Sequence, residues 1–461
     1  PGLCADGLAR VYVDTVYDKK GTGAVKVRLN GCLCRDAEIV GDAVRCWFPA
    51  FAARADRNVV AIPPLRGLKA LSCTMGAEEG VPTDGLNVIP RPKFEKLTGG
   101  VCTNLVLRQV RTEGFAEEGY ELEILSGGAI ARASTDAGLF YAQKTWEQVV
   151  AAGSVPCALV RDEPRFKVRS LDIDPSRHFI TVEETKRFID LMSRFKFNTL
   201  GWHLTDDHGW RMEIPKYPLL TAKSAWRYDG NMEPGKDGPH GGYYTTAQLE
   251  EIVRYAAERH VTIIPAIDVP GHASEMTFAY PHLACDEKKA RAAETLQAFP
   301  NFPNRHWKRH QSQFPLAIQH GNGKKTAPSV LCMGKESTFE FLRDVFDEVL
   351  RIFPSKIVDV CCDEVDMSEW RNCPHCRARV KEIGGADERA LWPYVATRLA
   401  RYLKSKGRTM ICDDDVTDSG FFPKDCILQC WRYQIPEPPE VAAVMNGLDC
   451  LLTPEPLAFL C

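Results

Sequence analysis

Through the first third of the chain, apolar residues tend to recur at every second position. The alternation is clear in RVYVDTVYD, NLVLRQV and YELEILSGGAIARAS, and it predicts strands with one buried face. TDAGLFYAQKTWEQVVAAG then changes period: a capping residue, apolar spacings of three and four and a terminal glycine predict a helix. These elements make residues 1–160 an α+β domain. SVPCALVRDEPRF carries two prolines and no helical period, so it reads as a connection.

From Lys167 onward short apolar runs alternate with amphipathic helices. VRSLDID, FNTLGWHL, VTIIPAID, KIVDVCC, TMICDDD, CILQCW and LDCLLT are the strand-like runs. TVEETKRFIDLMSRF, TAQLEEIVRYAAERH, STFEFLRDVFDEVLRIF, WPYVATRLARYLKSKG and PPEVAAVMNG are the helical ones. This cadence over 165–461 predicts an α/β fold of the TIM-type (β/α)8 barrel class. Seven strands are countable where eight are needed, so the eighth is expected to be missing and the barrel to be incomplete at its carboxyl end.

Composition narrows the function classes. With 58 basic and 61 acidic residues among 461, the formal charge of -3 provides no net field for nucleic acid or an anionic membrane, and neither is expected as a partner. No apolar run is long enough for a membrane helix, and the amino end lacks a charged segment followed by an apolar one; a chain starting at Pro1 leaves room for a removed leader. The 18 cysteines stand mostly alone in apolar runs and read as small buried hydrophobes, which slightly favours a reducing, cytoplasmic setting over secretion with a few disulfides.

Chemistry in such a barrel gathers where strands end, and polar residues stand there repeatedly. Asp172 and Asp174 end the first strand, His203, Asp206 and Asp207 the second, and Asp268 with Pro270-Gly271-His272 the third. Asp363-Glu364 follow the fourth, Asp413, Asp414 and Asp415 the fifth, and Trp431-Arg432 the sixth. Each carboxylate alone is equally well read as a helix cap, and Asp413 to Asp415 as a solvated helix start. Cys373-Pro374-His375-Cys376, with Cys361 and Cys362 upstream, has the look of a metal cluster, but no second paired ligand stands at a zinc-like spacing. A disulfide between Cys373 and Cys376, or simple packing, is the plainer reading, and no metal or other cofactor is expected.

Arg169 to Arg227, with WHLTDDHGWR, the Pro-Gly-His turn and the Asp-Glu pair followed by Trp and Cys-Pro-x-Cys, resembles glycoside hydrolase family 20, the exo-β-N-acetylhexosaminidases. The likeness runs over roughly residues 115 to 460. It implies removal of terminal β-linked N-acetylglucosamine or N-acetylgalactosamine with retention, the sugar's own acetamido oxygen attacking C1. It further implies Glu364 as acid and base and Asp363 as the acceptor for the acetamido N–H. Arg169 would bind the sugar hydroxyls, Asp206 and His272 support the acid, and Trp431 form a pocket wall.

Several positions depart from the family pattern. Asp359, Cys361 and Cys362 stand in place of His, Gly and Gly, Ala266 replaces a Glu, Cys412 a Trp, Phe459 a Tyr and Cys461 an Asp. The pocket is therefore expected to be tighter and more negative. A degenerate carbohydrate-binding or scaffold protein, or a piece of a longer active chain, are the alternative readings.

Overall fold

The computed structural model describes residues 8–17, 28–29, 32–33, 36–40, 43–49, 60–61, 70–79, 85–227, 240–291, 328–421, 424–432, 446–453 and 459–460, with side chains from residue 85 onward except at 227, 240, 459 and 460. The helix expected at PPEVAAVMNG falls largely outside these residues. The chain divides into two compact units, one built from 1–113, 119–133 and 145–162, the other from 114–118, 134–144 and 163–461.

The first unit holds a four-stranded antiparallel sheet in the order Asp36–Val40, Ala43–Pro49, Leu8–Tyr17, Ala70–Glu79. A second sheet of five strands runs Phe94–Val101, Pro156–Asp162, Tyr120–Leu125, Gly128–Ala133, Leu107–Arg111. The supposed connection after residue 154 is thus a central strand. It lacks a helical period because its period is two: Ala158 and Val160 are buried while Leu159 is half-buried and Arg161 exposed. Pro156 is its first residue, where a missing donor does the least harm.

The second unit is the barrel. Strands one to four are Ser170–Ile173, Thr199–Asp206, Thr262–Ile267 and Ile357–Asp359; strands five to seven are Thr409–Asp413, Cys426–Cys430 and Asp449–Leu452. They pair in parallel in chain order. Phe459–Leu460 then adds a two-residue strand on the far side of strand one, paired with Asp172 and Ile173. The place expected to be vacant beside strand one is therefore taken by this two-residue strand.

Two helices show why the pattern folds this way. Thr181 caps Val182–Arg194 and Thr245 caps Thr246–Ala257, each in a reciprocal capping box with the residue three positions on, Glu184 and Gln248. A pair of otherwise orphaned donors is satisfied at each helix start, so both helices begin where the sequence says they do. Their apolar stripes, Ile189 and Met192 on one, Leu249 and Ile252 on the other, are fully buried against the outward faces of the strands, where Ile173, Trp202, Leu204 and Ile263 lie. The opposite strand faces are left to carry chemistry.

Candidate active site

At the carboxyl ends of the barrel strands the centre of the arrangement is His272. It follows strand three in the turn Pro270-Gly271-His272, held in the left-handed region at φ 44°. A side chain on Gly271 would put its Cβ 2.8 Å from the Asp363 carbonyl, so only glycine lets this turn lie against the loop after strand four. His272 Nδ1 lies 3.2 Å from Asp207 and 3.5 Å from Asp206, and Nε2 lies 3.5 Å from Asp363 and 3.4 Å from Glu364. Nε2 thus sits between the acidic pair, aligned for a hydrogen bond with neither carboxylate. Burial works against the imidazolium, but Asp206, Asp363 and Asp268 more than offset it and hold the pKa of His272 well above the ordinary histidine value.

Asp206 is fully buried yet remains ionised. Despite burial, His272, Arg177 and the rings of His203 and His208 hold its carboxyl well below the usual range. Its contacts are Arg177 at 2.5 Å, His203 at 3.3 Å and His208 at 3.4 Å. Asp363 behaves similarly: burial raises its pKa, but His272 brings it below the normal value. One of its oxygens, Oδ1, is buried with no hydrogen-bond partner. Glu364 is the more open of the pair, with its side chain 49% exposed against 17% for Asp363.

Adjacent residues of a regular strand point to opposite sides. The backbone departs from that geometry just before the pair: Cys361, Cys362 and Glu364 have φ values of 55°, 67° and 43°. This run of left-handed residues ends strand four and lets Asp363 and Glu364 both approach His272. It also fits the two glycines that the resemblance implies at positions 361 and 362, since a Cβ is disfavoured in this conformation. Here the cysteine side chains use the space: Cys362 Sγ donates to the Val269 carbonyl at 3.1 Å, and Cys361 Sγ lies 3.9 Å from His203 Nδ1.

Asp415 closes the other side. It accepts from the Trp431 indole at 2.8 Å and lies 3.5 Å from the Glu364 amide, joining the Trp431 ring to the backbone of the acid pair. Asp414 binds Arg432 at 2.6 Å. A helical turn, Asp414–Ser419, does begin here, but all three aspartates are buried, so the expectation of a solvated helix start is corrected. Burial, with repulsion from Asp363, raises Asp415 to about 7 and puts Asp413 and Asp268 well above the carboxylate range.

Of the sequence-derived site residues, Asp206, His272, Asp363, Glu364 and Trp431 come together and Arg169 does not. Arg169 precedes strand one, at its amino end, and its guanidinium is occupied by Glu118 at 2.8 Å and by the Lys196 and Phe166 carbonyls. The arginine of strand one that lies among the carboxylates is Arg177, one turn beyond the strand's other end, bridging Asp174 at 2.7 Å and Asp206. Asp174 fixes that turn by accepting from the Ser176 and Arg177 amides. The spacing Asp174-x-x-Arg177 was the available signal for this residue, and it was passed over for an arginine nearer the strand in sequence.

Two of the departures are neighbours in space. Ala266 and Asp359 are register partners on strands three and four, and His203 pairs with Ala266 from strand two. A carboxylate from strand four therefore stands beside the position that Ala266 occupies. Cys412, by contrast, lies in the hydrophobic core beside Cys426 and does not line the site. Phe459 has no described side chain. His203, Asp206 and Asp268 are close enough to hold a cation, but Arg177 already contributes the positive charge at Asp206.

A parallel barrel that gathers carboxylates at its strand ends, with an adjacent acidic pair against an imidazolium, defines a barrel hydrolase of the acid-pair class. The chain belongs to glycosyl hydrolase family 20: the family's catalytic domain matches residues 166–461 and its domain 2 residues 79–163. A beta-hexosaminidase of Porphyromonas gingivalis is 33% identical over 350 residues, covering 73% of this chain and 40% of the relative. One of Vibrio furnissii is 33% identical over 360 residues, covering 76% and 54%. A solved β-N-acetylhexosaminidase superposes with a TM-score of 0.68 at 29% identity, over 80% of this chain and 73% of that one. The chain spans about half the length of these two curated relatives, 40% and 54%. Among the described residues no helix is long and apolar enough to cross a membrane.

Proposed function

We propose that this chain removes a terminal β-linked N-acetylhexosamine, N-acetylglucosamine or N-acetylgalactosamine, from a glycan or glycoconjugate, with retention through an oxazolinium intermediate. The observation that supports this reading is the Asp363-Glu364 pair facing His272, with Asp206 behind it. Glu364, the more exposed acid, protonates the leaving glycosidic oxygen as the substrate's acetamido oxygen attacks C1 and the C1–O bond breaks. Water then attacks C1, Glu364 takes its proton, and the oxazolinium ring opens; two inversions give net retention.

Asp363 accepts a hydrogen bond from the acetamido N–H and balances the cationic ring, a task suited to its unpartnered buried oxygen. The imidazolium of His272, braced by Asp206, sits between both carboxylates and keeps Asp363 charged. Arg177 takes the sugar-hydroxyl role that the resemblance assigned to Arg169, because it stands at the strand end where a substrate would lie. Trp431 forms a wall positioned through Asp415.

The test is release of para-nitrophenol from its β-N-acetylglucosaminide and β-N-acetylgalactosaminide by the purified chain, beside Glu364→Gln. Turnover lost in that variant supports the assignment. If the folded chain turns over neither compound yet binds N-acetylhexosamine, the reading changes to a degenerate carbohydrate-binding protein.

A further inference from the structure

Away from the acidic site, four cysteines from three separate segments converge. Cys285 lies in the loop that follows strand three, Cys332 just ahead of helix Glu336–Ile352, and Cys373 and Cys376 at the start of helix Pro374–Glu382. The sulfurs of Cys285 and Cys376 are 3.6 Å apart, those of Cys332 and Cys373 3.6 Å, and those of Cys332 and Cys376 3.7 Å. All four lie within 4.8 Å of one another, three of them buried. A tetrahedral ion with zinc–sulfur bonds of about 2.3 Å has sulfur–sulfur edges of about 3.8 Å. A disulfide would bring a pair to about 2 Å, and no pair approaches that.

The backbone is arranged around the same point. A Cβ on Gly334 would lie 2.1 Å from the His375 carbonyl carbon, so the two cysteine-bearing turns meet backbone to backbone and glycine is required. Pro374 opens its helix at the first position, so the helix start with its unpaired amides lies at Cys373 and Cys376. Lys335 Nζ donates to the His282 and Ala284 carbonyls at 2.7 and 2.9 Å, tying the segment that follows Cys332 to the one that leads to Cys285. The Trp370 indole, on the segment that leads to Cys373, donates to the Leu331 carbonyl at 2.9 Å.

We propose that Cys285, Cys332, Cys373 and Cys376 form a structural tetrathiolate zinc site. The ion would bind with loss of the thiol protons, close its coordination shell with protein sulfur alone, and leave no position for a substrate. It would clamp the loop after strand three, which begins with His272, to the loop after strand four, which begins with Asp363 and Glu364. The sequence hides this site because only one Cys-x-x-Cys pair exists; the other two ligands come singly from distant positions.

Elemental analysis of the purified, folded chain tests the proposal without reference to glycosidase activity. About one zinc per chain is expected, released by a mercurial thiol reagent, with cobalt exchange giving thiolate-to-metal charge-transfer bands and the intense visible bands of a tetrahedral site. Cys285→Ser and Cys373→Ser should lose the metal, while Cys157→Ser, in the other unit, should keep it. If the serine variants do not fold, the wild-type stoichiometry and cobalt spectrum decide alone. Bound iron, two disulfides among these four residues by mass, a folded metal-free chain, or zinc retained in folded serine variants would each overturn it.

Discussion

The buried carboxylates of the barrel fall into two groups. Asp174, Asp206 and Asp363 face Arg177, His203 and His272 and are held charged; Asp172, Asp268, Asp359, Asp413 and Asp415 meet burial and one another, and their pKa values are raised. One residue type in one barrel therefore shifts in two directions, and what separates the groups is the balance of cations against burial and like charges: Asp415 has Arg432 at 3.6 Å and Asp268 has His203 at 3.9 Å, yet both stay raised. The lesson is that an acidic strand end in this fold has no meaning until its partner is known.

The difference should be sharpest in activity. Glu364→Gln is expected to lower kcat by about a hundredfold to ten-thousandfold, as loss of a general acid does, with the melting temperature nearly unchanged. Asp363→Asn should cost kcat about a hundredfold to a thousandfold, because the neutral amide no longer balances the oxazolinium charge. A wild-type-like rate for Glu364→Gln would remove the basis for treating the paired side as catalytic.

The two arginines of strand one provide the next contrast. Arg177→Lys should lower kcat/KM by about ten- to a hundredfold, since one ammonium cannot replace a fork bridging two carboxylates and a sugar. Arg169→Lys should leave kcat/KM intact and lower only thermal stability, because its partners are Glu118 and two backbone carbonyls. Equal kinetic losses in the two variants would contradict their separation to opposite ends of the strand.

The unpaired side should show itself in stability against pH. Asp172 is raised to about 7 by burial and by Asp359, against the opposing effect of His203. A carboxyl whose folded pKa exceeds its unfolded value binds its proton more tightly when folded, so stability falls as pH rises from about 4 to about 7 and levels off above that. Asp172→Asn, measured by denaturant titration, should therefore be more stable than the parent by an amount that grows across this interval, reaching on the order of a few kcal/mol. An advantage that is constant with pH would show that Asp172 is ionised in the folded protein.

The smallest effect concerns the strained turn between the two groups. Cys361→Gly should relieve left-handed backbone strain of about 1 kcal/mol but lose the packing of a buried thiol. The net change in unfolding free energy should be within about 1 kcal/mol of zero. A loss well beyond that would mean that the Cys361 side chain supports the acid pair directly.

Much of the fold was legible in the pattern. The seven barrel strands and five of the six predicted helices fall on segments whose period is visible locally, the sixth lying largely outside the described residues, and capping residues such as Thr181 and Thr245 mark helix starts. Pro156–Asp162 was misread because two prolines outweighed a short period-two signal, and Phe459–Leu460 because two residues are too few to carry a period at all. The acidic pair and His272 were legible because each occupies a short contiguous motif. Arg177 was not selected because nothing local tells which of two arginines flanking one strand faces the carboxylates.

The sequence by itself determined where strands and helices form, that carboxylates would gather at one end of the barrel, and that Asp363 and Glu364 would stand side by side, since these depend on neighbours a few residues apart. Only the tertiary structure decided which carboxylates are charged, that Asp359 stands beside Ala266 on the adjacent strand, and that Cys285 and Cys332 join Cys373 and Cys376. Those outcomes depend on distances between residues remote in the chain, and both electrostatic pairing and metal ligation are set by a few ångströms that local pattern does not encode.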